Sequence, residues 1–288
     1  MNAIRRMEHE DVEACAETFE EALGGLLRTL GLPPRTDPGA LAETASRVAH
    51  LLGTDPEGSW VAVGDGGVVG FTQAARRDRC WVLVHLFVRP GQQSSGIGRS
   101  MLERACRYAT DAPVGLIGAT ADPRAIRTYV QLPGFHTLPT LNASGTVRAE
   151  RLDRDATASV RDGDEADIES FADLDRRLRG GTRAPDVAYL VGRGHRLRVL
   201  SGQGYCVIGE STIDMLSADD VDSARVLLTD ALLQCAGRSV TVGRMTAEQQ
   251  WAFPLLVSAG LDLRPWGPLV VRGLEHAPVP YLPSPSLC

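Results

Sequence analysis

The stretch Trp81–Val88 (WVLVHLFV) constrains the fold more than any other part of the sequence, because only His85 interrupts its apolar side chains. A strand that is apolar on both faces must be covered on both faces. The stretch therefore predicts a central β-strand in a sheet that has helices on either side. It ends at Arg89-Pro90-Gly91, where proline and glycine favour a turn.

The segments around this strand alternate between the helical and the extended period. The order is strand, two helices, three strands, helix, strand, helix and a closing strand or two, which is typical of an α/β layer with a mixed sheet. The Asp65-Gly66-Gly67 turn predicts a hairpin between the second and third strands. The predicted segments are Ala3–Arg6, a helix from Val12 to Leu26, Ala40–Leu52, Ser59–Val63, Val68–Ala74, Trp81–Val88, a helix from Ile97 to Tyr108, Val114–Ala119, Pro123–Leu132 and residues 135–150.

The second half of the chain repeats this order more faintly. A repeat of about 140 residues indicates two copies of one domain and not a solenoid. We predict domains at residues 1–152 and 153–275, with a proline-rich tail at 276–288 that forms an extended strap or a loose end. The predicted segments are strands at Ser159–Arg161, Val187–Leu190, Arg196–Leu200, Tyr205–Ile208, Thr212–Leu216, Ser239–Val242 and Leu269–Arg272, and helices at Ala166–Arg179, Val221–Ala231 and Ala247–Ser258.

Composition excludes several classes of protein. Of the 288 residues 43% are hydrophobic and 23% charged, which excludes a mainly disordered chain. The net charge of -6 argues against a nucleic-acid partner held by electrostatics. No apolar run is long enough to cross a membrane, and the N-terminus turns acidic where a signal peptide turns apolar, so we expect a cytoplasmic protein. The six cysteines have no metal-ligand spacing, and we expect buried thiols and no metal.

The segment Leu86–Leu102 (LFVRPGQQSSGIGRSML) carries the chemistry. A buried strand leads into a Gly/Ser loop, and a helix begins within Gly96-Ile97-Gly98. First-turn amides of a helix lack intrahelical partners, and the helix dipole favours an anion there. Taken alone, such a loop is explained equally well by a structural turn.

Two motifs together give the pattern a family. Gln93-Ser94-Ser95-Gly96-Ile97-Gly98 fits the signature Q/R-x-x-G-x-G/A, and Ala125-x-x-x-Tyr129 leads to Gly134-Phe135. Over residues 1–150 the sequence resembles the GNAT superfamily of acyl-CoA-dependent N-acetyltransferases. Pro133 departs from the commonest spacing by one residue. The resemblance implies an α/β (α+β) fold of two tandem GNAT-like domains, each a mixed, mostly antiparallel sheet flanked by helices.

The resemblance also implies roles for individual residues. Backbone groups of Leu86, Phe87 and Val88 would pair with the pantetheine arm of acetyl-CoA, and one amide would polarise the thioester. The pyrophosphate would lie on the loop and the first helical turn, formed by Gln93, Ser94, Ser95, Gly96, Ile97, Gly98, Arg99 and Ser100. Tyr129 stands at the position of the general acid that protonates the CoA thiolate; the alternative is a core tyrosine.

The general base stays open. Many GNAT relatives carry a glutamate where this sequence has Val84. His85 titrates near neutrality and is a candidate base, directly or through water, although strand alternation turns it to the opposite face and a buried structural histidine is an equal alternative. The other candidates are Glu20, Glu21 and His9.

The second copy lacks the catalytic residues. Leu256 occupies the tyrosine position, and Asp219, Asp220 and Asp222 stand where the first copy has its glycine loop. Acids at that position repel a diphosphate and are typical of an ordinary helix cap. We interpret residues 153–275 as a degenerate GNAT-like domain.

The sequence thus predicts an acetyl-CoA-dependent N-acetyltransferase that acetylates a primary amine of a small molecule or peptide. The alternative is a non-catalytic acyl-CoA-binding or sensing protein. In either case we expect no nucleic-acid or membrane partner and a monomer whose tandem domains replace a homodimer. The segment Leu23–Gly58 is the region expected to shape an acceptor pocket.

Overall fold

A computed structural model of the chain describes residues 3–284 and Leu287. Its contacts divide the chain into two compact units. The first comprises Met1–Arg76 and Trp81–Ala112, and the second comprises Arg77–Cys80 and Pro113–Cys288.

The first unit contains four neighbouring strands whose order in the sheet follows the chain. Its strands are β1 (Ala3–Arg6), β2 (Ser59–Gly64), β3 (Gly67–Arg77) and β4 (Cys80–Val88), and its helices are α1 (Val12–Thr29), α2 (Ala40–Thr54) and α3 (Ile97–Arg107). The hairpin of β2 and β3 closes where Gly64 pairs with Gly67, which has a φ of +107° that suits glycine.

Helices cover both faces of this sheet, as the sequence predicts. Neighbouring residues of a strand point to opposite faces. Val61 packs in one apolar cluster with residues of α1 and α2, whereas the next residue, Ala62, packs against Ile97 and Met101 of α3. Trp81 is fully buried, and its indole Nε1 donates to the carbonyl of Ala105 on α3 at 3.1 Å.

The second unit contains two antiparallel arrangements of strands. One has the order β5-β12-β6-β11 and the other has the order β13-β10-β9-β8-β7. The strands are β5 (Val114–Gly118), β6 (Phe135–Thr146), β7 (Val160–Asp162), β8 (Arg196–Leu200), β9 (Gly204–Ile208), β10 (Ile213–Ala218), β11 (Ser239–Met245), β12 (Asp262–Arg272) and β13 (Tyr281–Leu282). The helices are α4 (Pro123–Tyr129), α5 (Glu165–Ser170), α6 (Ala172–Arg179), α7 (Ala184–Gly192), α8 (Val221–Gln234) and α9 (Phe253–Ser258).

The long strand β12 joins segments that are far apart in the chain. It lies between β5 and β6 and is antiparallel to both, with Leu269 opposite Gly118 on one side and Leu138 on the other. A strand from the second sequence copy thereby completes a sheet with strands of the first. The boundaries of the compact units therefore differ from the predicted boundary between the copies, because β12 pairs with β5 and β6. The division into two copies at residue 152 stays a prediction.

One predicted strand is wrong. Residues Val187–Leu190 belong to helix α7, in which Ala184, Val187 and Leu190 are buried at helical spacing. A short apolar run fits a strand and a buried helix equally well, and here the helical choice buries three residues on one face.

Several predicted segments have other bounds or details in the structure. The helix predicted over Ala166–Arg179 breaks at Phe171 into α5 and α6. The helix predicted over Ala247–Ser258 is a 3₁₀ segment, Ala247–Trp251, followed by α9. Residues 135–150 form one strand, β6, and a short 3₁₀ turn. Within residues 3–284 and Leu287, no helix is both long enough and apolar enough to cross a membrane.

Candidate acyl-donor site

Strand β4 changes character near its end. Cys80–Leu83 are buried, whereas Leu86, Phe87 and Val88 are each half-buried. The strand passes close to β3 at this point, since a Cβ on Gly70 would lie 2.9 Å from the carbonyl oxygen of Phe87. The glycine therefore lets the half-buried end of β4 lie directly against β3.

The loop after β4 is held by hydrogen bonds to its own carbonyls. The amide of Gln93 donates through Nε2 to the carbonyl of Val88 at 3.0 Å. The hydroxyl of Ser95 donates to the carbonyl of Gln92 at 2.6 Å. Ser94 and Gly96 have φ angles of +64° and +88°, which bend the chain sharply into α3. The loop that the sequence singled out is thus a tight, internally bonded turn.

The N-terminus of α3 is open to a ligand. Its N-cap is Gly96, which supplies no side-chain cap, and its first turn contains no acidic residue. The first helical bond runs from the amide of Ser100 to the carbonyl of Gly96 at 3.0 Å. A Cβ on Gly98 would meet only Val88 Cγ2, at 3.7 Å, and one on Gly96 would meet nothing within 4 Å. The amides of this first turn therefore face accessible space with a favourable dipole for an anion.

Arg99 adds a positive charge at this end of the helix. Its side chain is 73% exposed, and its Nε lies 3.9 Å from Glu103 one turn later. An exposed ion pair at this distance is weak, so the Arg99 guanidinium remains available to bind an anionic group. Ser100, the other predicted phosphate-binding residue of this turn, is half-buried.

His85 lies deep in the first unit with both ring nitrogens engaged. Its Nδ1 donates to Oε1 of Gln73 at 2.9 Å, and its Nε2 accepts from Nε of Arg47 at 3.3 Å. The rings of Phe19, Phe71 and Phe87 surround it, with centroids 5.8, 5.4 and 6.1 Å from that of the imidazole. Burial, and then the Arg47 guanidinium, hold the pKa of His85 well below its ordinary value. This environment fits the structural alternative for His85.

The other candidate bases lie on or before α1. Glu20 accepts from Thr44 Oγ1 at 2.9 Å and from Arg35 at 3.2 Å. Glu21 lies 3.2 Å from Arg89, and His9 is exposed in the 3₁₀ turn before α1. Both glutamates are thus paired with arginines.

Tyr129 belongs to the second unit. It is the last residue of α4, whose N-cap Asp122 accepts from the amide of Arg124 at 2.9 Å, and its side chain is only 6% exposed. Leu86–Ser100 and His85 belong to the first unit, and the catalytic role of Tyr129 stays a prediction.

The residues expected to be inactive in the second copy occupy structural positions. Leu256 is fully buried in the core of the second unit. Asp220 caps α8 by accepting from the amide of Ser223 at 2.7 Å, which holds its pKa below its ordinary value, and Asp219 accepts from Arg177 at 2.6 Å. Where α3 presents an uncapped N-terminus, α8 has its own carboxylate. Among residues 3–284 and Leu287 we find no cluster of three or more potential metal ligands.

Sequence reasoning missed Arg47 and Gln73, the partners of His85. Both left a signal: Arg47 falls on the apolar face of α2 between Thr44 and Leu51, and Gln73 interrupts the buried strand β3. A polar residue in an otherwise apolar stripe requires a buried partner.

Comparison with known proteins agrees with this architecture. Residues 27–135 match the sequence model of the Acetyltransferase (GNAT) family. A search of curated proteins returned no match.

Solved structures of similar fold cover nearly the whole chain. A putative acetyltransferase from Pyrococcus horikoshii has a TM-score of 0.77 at 17% identity, with 96% of this chain and 92% of that chain covered. A GCN5-related N-acetyltransferase from Sphaerobacter thermophilus has a TM-score of 0.59 at 13% identity, covering 94% and 95%. A tandem GNAT protein from the clavulanic acid biosynthesis pathway has a TM-score of 0.55 at 14% identity, covering 96% and 100%. The chain has the tandem GNAT fold, with mostly antiparallel sheets flanked by helices.

Proposed function

We propose that the first copy binds acetyl-CoA and transfers the acetyl group to a primary amine of a small molecule or peptide. The observation that carries the proposal is the uncapped N-terminus of α3, which follows a glycine-containing turn at the half-buried end of β4. The same segment lies within the match to the GNAT family. The fold alone does not select a reaction, whereas this anion-accepting turn supports a diphosphate-bearing donor.

Different residues would bind different parts of acetyl-CoA. The first-turn amides of α3 and the Arg99 guanidinium would hold the pyrophosphate, and Leu86, Phe87 and Val88 would offer backbone groups to the pantetheine arm. A backbone amide at this end of β4 would donate to the thioester oxygen as negative charge develops on it.

The reaction is a direct acyl transfer. The amine nitrogen attacks the thioester carbonyl carbon, and the resulting tetrahedral intermediate collapses with cleavage of the carbon–sulfur bond. The CoA thiolate takes a proton from Tyr129, and the nitrogen of the new amide loses one to solvent, from which Tyr129 regains its proton. Since both nitrogens of His85 are engaged, we propose that this second proton leaves through water and that His85 positions β4.

The alternative, an acyl-CoA-binding protein without turnover, is favoured by Val84 at the position where many GNAT relatives have a glutamate. Tyr129→Phe separates the two. For an enzyme we expect kcat on a responsive amine to fall on the order of 100-fold while the Kd for acetyl-CoA stays within twofold. If no amine in a broad panel stimulates CoA release while acetyl-CoA still binds tightly, the alternative is favoured.

We further propose that the protein is a monomer in the cytoplasm.

A further inference from the structure

We propose that a groove in the second copy binds an extended peptide, and that its occupant is the chain's own C-terminal segment. We call residues 277–284 the strap. The strap lies beside β10, the strand of the second copy that corresponds in chain order to β4. The correspondence to a donor site rests on the proposed function of the first copy, whereas the contacts of the strap do not.

Strand β10 presents an open edge because it parts from β11. β10 precedes α8 and β11 follows it, as β4 and β5 flank α3. The two strands meet where the amide of Thr241 donates to the carbonyl of Ser211 at 2.9 Å, and they then enter different sheets. A bulge lies between Ile213 and Met215, and bulges turn a strand away from its neighbour.

The strap pairs with this edge as an added antiparallel strand. Leu282 lies opposite Leu216, and Tyr281 lies opposite Ser217. The amide of Ala218 donates to the carbonyl of Pro280 at 3.2 Å. Backbone pairing of a segment to an open sheet edge is a general mode of peptide recognition.

Buried side chains hold the backbone of the strap. Gln249, which is 1% exposed, donates through Nε2 to the carbonyl of Pro278 at 2.9 Å. Arg183, which is fully buried, donates through Nη1 to the carbonyl of Leu282 at 3.1 Å, and its guanidinium carbon lies 4.3 Å from the centroid of the Tyr281 ring.

The Arg183 side chain is also held by residues outside the strap. Its Nε donates to the hydroxyl of Tyr205 at 2.9 Å, and its Nη2 donates to the hydroxyl of Ser217 at 2.7 Å. A guanidinium fork oriented by two neighbours is a preorganised donor for a carbonyl oxygen.

The strap is buried along its length, with Val279 as its exposed position. Tyr281 and Leu282 are 2% and 0% exposed, whereas Val279 is 39% exposed. The strap contains prolines at 278, 280 and 283, which favour an extended backbone and lower the entropy lost on docking. The groove thus fits a proline-rich extended peptide with a buried aromatic and a buried aliphatic residue.

In the second copy, the strap occupies the place that corresponds to the proposed acyl-CoA site of the first copy. The strap lies where the first copy would hold the pantetheine arm, and Asp220 caps the helix whose counterpart would hold the pyrophosphate. The second copy therefore takes its own peptide in place of acyl-CoA.

The test uses full-length chains without any acyl-CoA, so it is independent of the proposed activity. Tyr281→Ala removes the buried ring, and Val279→Ala, at an exposed position two residues away, is the matched control. Two readouts are amide hydrogen exchange at Ala218 and binding of a fluorescent peptide, HAPVPYLPS (residues 276–284). If Tyr281→Ala does not fold, Tyr281→Leu keeps an apolar side chain and is measured in its place.

We expect exchange at Ala218 to rise at least tenfold in the Tyr281 variant while the amides that pair β8 with β9 keep their protection. The labelled peptide should bind this variant and neither the wild type nor Val279→Ala. Unchanged protection of Ala218, a uniform rise over all amides, or no peptide binding by the loosened variant would overturn the proposal.

Discussion

The Nε atom of Arg47 on α2 donates to Nε2 of His85 on β4 across 3.3 Å, so a permanently charged guanidinium contacts a buried imidazole. On the outer side of α2, Arg47 also lies 3.7 Å from Glu43, which pairs with Arg35 at 2.7 Å. A chain of alternating charges thereby connects the surface to the only polar side chain of the WVLVHLFV run. Protonation of His85 would place two positive charges in contact within an aromatic cluster.

This contact predicts a pH-dependent stability. The folded-state pKa of His85 is lowered, so the unfolded chain binds more protons as the pH falls below about 6.5, and the free energy of unfolding falls there by up to about 1.4 kcal/mol per pH unit. Above about pH 6.5 His85 is mostly neutral in both the folded and the unfolded chain, so it no longer lowers the free energy of unfolding. His85→Gln should remove that slope when urea unfolding is compared between pH 8 and 5.5.

His9→Gln is the control for that series, because His9 is exposed and should leave the slope as it is in the wild type. An unchanged slope in His85→Gln would mean that His85 is already protonated in the folded protein or exposed to solvent.

The ion pair of Arg77 and Asp186 predicts a large stability effect in the second unit. The pair is bidentate, at 3.3 and 2.9 Å, and both residues are at most 6% exposed. Arg77→Met removes the cation that the buried Asp186 carboxylate faces and should cost about 3–5 kcal/mol in chemical denaturation. The double variant Arg77→Met/Asp186→Leu should recover most of the loss, and a double variant as unstable as the single one would contradict this account.

Gly70 predicts a coupling between packing and donor binding. Any side chain there meets the carbonyl of Phe87, so Gly70→Ala should destabilise the first unit by about 1–3 kcal/mol and weaken acetyl-CoA binding. Gly53→Ala is the matched control: its Cβ meets nothing within 4 Å, and it should stabilise α2 by about 0.5–1 kcal/mol without affecting binding. If calorimetry gives equal Kd values for acetyl-CoA in the two variants, the end of β4 does not belong to the donor site.

The sequence predicted the elements that local patterns determine. The apolar run of β4, the glycines before α3 and the hairpin turn each carry their structure in neighbouring residues. Val187–Leu190 was predicted wrongly because four apolar residues have no distinctive period.

The proline-rich tail indicated an extended strap or a loose end, but neither its docking on β10 nor the insertion of β12 between β5 and β6 had a sequence signal. Pairing of distant segments depends on which edge is open in the folded chain, and no local pattern encodes that edge. The partners of His85 were missed because a polar interruption of a buried stripe, as at Arg47 and Gln73, indicates that a partner is needed but not which residue supplies it.

Calorimetric titration of acetyl-CoA into wild type, Gly98→Ala and Gly98→Glu tests whether the N-terminus of α3 binds the acyl donor. A Cβ at Gly98 meets only Val88 Cγ2, at 3.7 Å, so the first side-chain atom of either substitution fits without a clash. Alanine also fits the G-x-G/A signature, whereas a glutamate places a carboxylate at the helix end that should accept the pyrophosphate. We expect one site per chain at micromolar affinity in the wild type, retained in Gly98→Ala and lost in Gly98→Glu. No binding by the wild type, or equal binding by all three proteins, would contradict the acyl-donor site, and two sites per chain would contradict the division of roles between the copies.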